Sequence, residues 1–389
     1  MDATERAVAK PGEQGEAYAQ SAPLLAFPGA TPPAQAIAEV LNEYFAQRAP
    51  GIRVVTCERI PGGYETFIYH LQLQGRGTLP VAQPLILRLY QGPGMAARSA
   101  WEAAAIARAR AAGIPAPAVH LYEQDATILG APFLLLDHAR GERMDAAAAH
   151  ASPLAVARML RDFARVQTAI HRIDWPEGRA LAPGHSGSND LGPFVWAPDR
   201  LAQARRALLA RRLEVLLPIV DWLEEREAAV RGPEVFIHGD YHPYNVFVAG
   251  GRVSDVIDWG AGGFAGVHED IGWTSLLLAT ATAAEPAADR GLAAVRTLGR
   301  RVYLAAIWEA CRIGRTRLRY GEVYAALRWL LLFLPSALPD AGPPVLNPDA
   351  RAFATPLYVR RVLAFVNRRT RLRLDLRSRG LPPARRNRT

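Results

Sequence analysis

The side chains best placed for chemistry lie in Phe236-Ile-His-Gly-Asp-Tyr-His-Pro-Tyr-Asn-Val-Phe-Val and in Val253-Ser-Asp-Val-Ile-Asp-Trp-Gly, which follows. A short apolar strand leads into Asp240, Asn245 stands five residues on, and Asp258 closes a second strand after a turn at Gly250-Gly251. Phosphoryl transfer to a hydroxyl requires such a donor set. One carboxylate takes the proton of the attacking alcohol, while an amide oxygen and a second carboxylate hold Mg²⁺ against nucleotide phosphates. Asp240, Asn245 and Asp258 are the candidates for this set. A rival assignment makes His238, Asp240, His242 and His268 a zinc cluster, since imidazole and carboxylate suit that metal. It leaves Asn245 and Asp258-Trp-Gly without a role.

The elements that must position these groups fall into two textures. Ile37, Val40, Leu41 and Tyr44 recur at helical spacing after Thr31-Pro-Pro, and Pro50-Gly51 ends that helix. Strands follow at Ile52–Ile60, Thr66–Leu73, Leu85–Tyr90, Val119–Tyr122 and Phe133–Asp137, with one helix from Arg98 to Ala112 between the third and fourth. Beyond Gly141 the pattern is helical, over Leu154–His171, Asp199–Arg231, Leu292–Arg315 and Val323–Leu334, with β pieces only at 235–238, 246–248 and 253–257. The expected organisation is a leader at 1–30, a β-rich lobe at 31–138, a helical lobe at 139–367 and a basic tail at 368–389. The fold class is α+β.

His238-Gly-Asp240, Asn245 and Ile257-Asp-Trp259 together resemble the aminoglycoside phosphotransferase family and the wider group with choline, homoserine and fructosamine kinases. The spacing from Asp240 to Asn245 equals that of the protein-kinase catalytic loop, and Asp258-Trp-Gly stands where kinases carry Asp-Phe-Gly. The resemblance spans about residues 52–275. It implies a two-lobed, protein-kinase-like fold that binds ATP or GTP with Mg²⁺ in its cleft and phosphorylates a small hydroxylated molecule. It makes Asp240 the catalytic base, His238 a support for its loop, Asn245 and Asp258 the metal ligands, and Asp270 a structural acid. Arg88 falls where the fold carries a phosphate-anchoring cation, with Glu102 as its helix partner. Gly62, Gly63 and Tyr64, within Pro61-Gly-Gly-Tyr-Glu-Thr66, resemble the nucleotide-covering loop, and Pro132–Gly141 the hinge that meets the base. Many members of this fold use lysine at the position of Arg88. Lys10 is the only lysine of this chain, so the anchor here must be an arginine. That departure motivates an alternative, a weak or inactive nucleotide-binding module, against which the intact Asp240, Asn245 and Asp258 argue.

The chain has 389 residues, 50% hydrophobic and 21% charged, which excludes wholesale disorder. Two cysteines, Cys57 and Cys311, exclude a disulfide framework. Without an apolar run long enough to span a bilayer, or the apolar core of a signal peptide in Met1–Gln20, a cytoplasmic location with no membrane partner is expected. The net charge is +9, yet residues 281–389 carry 21 arginines against 7 acidic residues, +14 locally, leaving −5 for the first 280. A basic cluster of this kind can bind nucleic acid or other polyanions, but an arginine-rich solvated tail accounts for it, and nucleic acid is not the expected main partner. The same charge disfavours polycationic acceptors, although Glu269, Asp270 and Glu309 offer material for an acidic pocket. A neutral, monocationic or anionic hydroxyl compound is the favoured substrate class.

Overall fold

The computed structural model describes residues 32–61, 66–81, 83–92, 94–182, 199–281, 286–338 and 355–376. The leader at 1–30 with Lys10, the candidate loop residues Gly62, Gly63 and Tyr64, and residues 377–389 of the expected tail lie outside the described residues.

Helix α1 (Ala34–Arg48) precedes five strands: β1 (Ile52–Ile60), β2 (Phe67–Gly75), β3 (Leu85–Leu89), β4 (Val119–Glu123) and β5 (Phe133–Asp137). They form one antiparallel sheet in the order β1-β2-β3-β5-β4. Helix α2 (Met95–Ala111) connects β3 to β4, and the short α3 (Ala126–Leu129) lies between β4 and β5. Side chains alternate across a strand. Leu85, Leu87 and Leu89 therefore pack with Ile37, Leu41 and Phe45 of α1 on one face. Arg88 takes the opposite face, toward α2 and the second lobe. A strand arginine facing solvent would be exposed; Arg88 is 8% exposed.

The second lobe begins with β6 (Glu142–Arg143), α4 (Met144–His150), α5 (Pro153–Ile170) and α6 (Gly178–Leu181). Next come α7 (Arg200–Ala210), α8 (Leu217–Val230), β7 (Glu234–Ile237), β8 (Val246–Ala249), β9 (Arg252–Val256) and β10 (Gly263–Gly266). The helices α9 (Val267–Thr280), α10 (Pro286–Cys311), α11 (Arg315–Ala337) and α12 (Pro356–Thr370) complete it. β7 pairs with β10, and β6, β8 and β9 form a small sheet. The architecture is the two-lobed α+β arrangement expected. Arg140, between β5 and β6, donates from Nε and Nη2 to the buried Asp255 of β9, so the inter-lobe crossing is clamped by a bidentate pair.

Two expectations need correction, and one helix, α9, has no counterpart in the sequence pattern. The helix expected over 199–231 is broken: Arg212 turns at φ 53°, a 3-10 turn spans Glu214–Leu216, and Pro218 sits in the first turn of α8, where its missing N–H is harmless. α9 shows no amphipathic period because it is buried nearly all round, including His268, Asp270, Trp273 and Ser275. α12 runs through the expected lobe–tail boundary at 367/368, with Thr355 capping it and Val359, Val362, Leu363 and Val366 facing the core. Arg369 is therefore no tail residue; it donates to the buried Glu322.

Candidate active site

β7 delivers the chain to His238 with its side chain fully buried. The His238 Nε2–H donates to Ile257 O at 3.0 Å, and Nδ1 accepts from Asp240 N at 3.3 Å. Both contacts fit the neutral ring, and burial lowers its pKa. His238 thus ties the Asp240 loop to the segment that carries Asp258. Gly239 turns at φ +78°, where a Cβ would lie 2.0 Å from Ala261 O, so only glycine fits. Its N–H donates to Asp270 Oδ1 at 2.8 Å. The other oxygen of that buried carboxylate takes Gln167 Nε2 and His171 Nε2, each at 2.8 Å.

Asp240 emerges from this frame partly exposed, at 20% of its side chain. Trp273 Nε1–H donates to Oδ1 at 2.7 Å, and Asn245 Nδ2 donates to Oδ2 at 3.1 Å and to Asp240 O at 3.0 Å. His242 Nε2 lies 3.3 Å from Oδ1. Burial would raise the Asp240 pKa, but His242, Arg328 and His238 outweigh it and hold the carboxyl below its ordinary value.

Asp258 occupies the left-handed region (φ 65°, ψ 60°), a conformation costly for a residue with a Cβ. Its Oδ1 accepts from Arg88 Nη2 at 3.0 Å. Arg88 Nη1 meets Glu102 Oε1 at 2.5 Å, Nη2 also reaches Thr66 Oγ1 at 3.3 Å, and Tyr90 OH donates to Glu102 Oε2 at 2.6 Å. Burial alone would lower the Arg88 pKa, but Glu102, Tyr90 and Asp258 raise it well above its usual value. The same guanidinium, against the cost of burial, holds Asp258 below the ordinary carboxylate range. Gly260 brings the Asp258 turn close to α2: a Cβ there would lie 3.0 Å from Glu102 Oε2.

Arg88, Glu102, Asp240, His238, Asn245 and Asp258 are therefore connected across the two lobes. The zinc alternative fails: among the described residues no three His, Cys, Asp or Glu side chains are grouped to hold a metal. His268 packs instead on Tyr320, with the ring centroids 5.7 Å apart. A carboxylate plus an amide oxygen does suit Mg²⁺, a hard ion bound through one or two carboxylates together with substrate phosphates. Asn245 spends its Nδ2 on Asp240, which leaves the amide oxygen for such an ion. The acidic pocket does not form either. Asp270 is spent inside the loop, Glu269 is buried against Arg200, and Glu309 is exposed on α10.

Residues 56–312 match the phosphotransferase enzyme family. The chain belongs to that family. Solved structures agree in fold. An apo thermostable mutant of aminoglycoside phosphotransferase APH(4)-Ia is 17% identical, with a TM-score of 0.56 over 85% of this chain and 98% of that one. A Ralstonia eutropha JMP134 protein assigned as an aminoglycoside phosphotransferase is 16% identical, with a TM-score of 0.54 over 85% and 98%. ADP-bound APH(2'')-Ib is 13% identical, with a TM-score of 0.53 over 76% and 90%. No curated protein matches the sequence.

Two residues of this phosphotransferase-family site escape motif reading. Trp273 comes from α9, and Arg328 from α11 donates from Nη1 to Gly239 O at 2.6 Å while stacking 4.4 Å from the Trp273 ring. The signal for Arg328 was a single arginine inside the apolar run Val323-Tyr-Ala-Ala-Leu-Arg-Trp-Leu-Leu-Leu. Trp273 carried none, because tryptophan in a buried helix is ordinary core.

Proposed function

We propose that this chain transfers the γ-phosphoryl group of ATP to a hydroxyl of a small molecule, in the presence of Mg²⁺. The observation that carries the reading is the joint placement of Asp240, Asn245, Asp258 and the Arg88–Glu102 pair at the junction of the lobes. Asp240 would accept the acceptor's proton as its oxygen bonds the γ-phosphorus and the bond to the β-phosphate oxygen breaks, releasing ADP. Its two oxygens are oriented by Trp273 and Asn245, so the carboxylate needs little reorganisation. Asn245 and Asp258 would hold the Mg²⁺, which supplies charge neutralisation on the phosphates. Arg88 would meet the phosphates, positioned by Glu102.

ATP is favoured as donor because relatives of this fold hold adenine nucleotides: ADP with hygromycin B in APH(4)-Ia, and ATP with streptomycin in APH(2'')-IIa. For the acceptor, the cationic Arg328 is among the groups that lower the Asp240 pKa. With the arginine-rich C-terminal third, this favours a neutral, monocationic or anionic hydroxyl compound over a polycation. No helix among the described residues is long and apolar enough to cross a membrane, and a cytoplasmic location belongs to the same reading. The test is incubation with ATP and Mg²⁺ against a panel of sugars, amino alcohols, macrolides, hydroxy acids and aminoglycosides, read by mass spectrometry. The expected result is a product 80 Da heavier from at least one acceptor that is not a polycation. No phosphorylated product from any class would return the chain to the nucleotide-binding alternative.

A further inference from the structure

An arginine fork can engage two acceptors at once, whereas a lysine ammonium acts as a point charge. Arg88 uses that capacity. Nη1 binds Glu102 of α2 and Nη2 binds Asp258 of the second lobe, so one guanidinium from β3 bridges two carboxylates and both lobes. Thr66, at the end of the β1–β2 connection, shares Nη2. The cation that would meet phosphate and the carboxylate that would meet metal are thus spent on each other. Arg88 Nε is also buried and bonds no described residue. A buried N–H without an acceptor is costly, and a phosphate oxygen would satisfy it.

We propose that Arg88 is a latch on Asp258. In the nucleotide-free chain it neutralises this carboxylate and keeps a divalent ion from binding there alone. When a nucleoside di- or triphosphate supplies new acceptors, the guanidinium shifts to them, and Asp258 is released to the metal that arrives with those phosphates. Metal and nucleotide then bind as a coupled pair, each tightening the other by the same factor, as linkage demands. The inference rests on Asp258 being a metal ligand, as in the function proposed above.

The test titrates the full chain with Mn²⁺ as a paramagnetic stand-in for Mg²⁺, followed by electron paramagnetic resonance, without nucleotide and with saturating ADP. The wild type is expected to bind Mn²⁺ weakly alone and at least ~10-fold tighter with ADP, within the usual span of coupling free energies. Arg88→Lys retains a cation but replaces the two-pronged fork with a single ammonium, which holds Asp258 less firmly while it meets Glu102. It should bind Mn²⁺ alone several-fold tighter than the wild type and show a smaller gain from ADP. Arg88→Met should do the same more strongly, and circular dichroism verifies that each variant is folded. A folded Arg88→Lys that binds Mn²⁺ alone no tighter than the wild type and keeps the full ADP gain would overturn the latch. Asp258→Asn separates the two readings: if it retains wild-type Mn²⁺ binding with ADP, Asp258 is no metal ligand and the premise itself falls.

Discussion

Asp240 is held by three side chains: Asn245 and His242 of its own loop, and Trp273 of α9. Trp273→Phe keeps an aromatic ring beside Arg328 but removes the N–H together with part of the indole, so circular dichroism and ADP affinity serve as controls for the fold. The variant is expected to cut kcat roughly ten-fold or more through loss of orientation, with little change in ADP affinity by calorimetry. An unchanged kcat would show that the N–H does not position the base. The motif residues were legible because their chemistry imposes spacing along the chain. Arg328 and Trp273 were not, because they reach Asp240 from helices more than thirty residues away, where only packing brings them in. Gly62, Gly63 and Tyr64 lie outside the described residues.

At the scale of elements, Glu322 of α11 joins four helices. Its Oε1 accepts from Ser275 of α9 at 2.5 Å and from Arg300 of α10, and its Oε2 accepts from Arg369 of α12. Removing one partner from a buried ionic network leaves uncompensated charge, so Glu322→Ala should cost ~3–5 kcal/mol by denaturant unfolding. Burial raises the Glu322 pKa, but Arg369 and Arg300 outweigh it and the net direction is down. A carboxylate whose folded pKa is depressed contributes stability above its unfolded pKa and loses it as pH falls through the folded one. The wild-type Tm should therefore drop on acidification below about pH 4.3, and Glu322→Gln should show a shallower drop. Equal slopes would remove Glu322 from the acid response. The strands and amphipathic helices of this scaffold were readable from period and turn residues. α9 was hidden because burial on every side erases the period. α12 carried a Thr-Pro cap and apolar spacing, but the arginines near its end read as solvated charge.

Across the whole molecule, the two lobes meet through Arg88–Asp258, Arg140–Asp255 and the bond from Trp101 Nε1 to Trp259 O at 3.2 Å. Two of these come from the Asp258-Trp-Gly turn, so the metal-binding segment of the proposed function is also the joint between lobes. On the proposed function, the C-terminal charge would act at this scale as well. Among acceptors of similar size, kcat/KM is expected to favour neutral or anionic compounds over polycations, with the gap narrowing as salt rises. A polycation preferred at low salt would contradict that. The base assignment remains the claim on which the rest depends, and the most direct measurement compares Asp240→Asn with the wild type. For an acceptor found by the substrate panel, turnover should fall by ~10²–10⁴ while the Kd for ADP stays within a factor of two or so of wild type. Full turnover in Asp240→Asn would contradict the account.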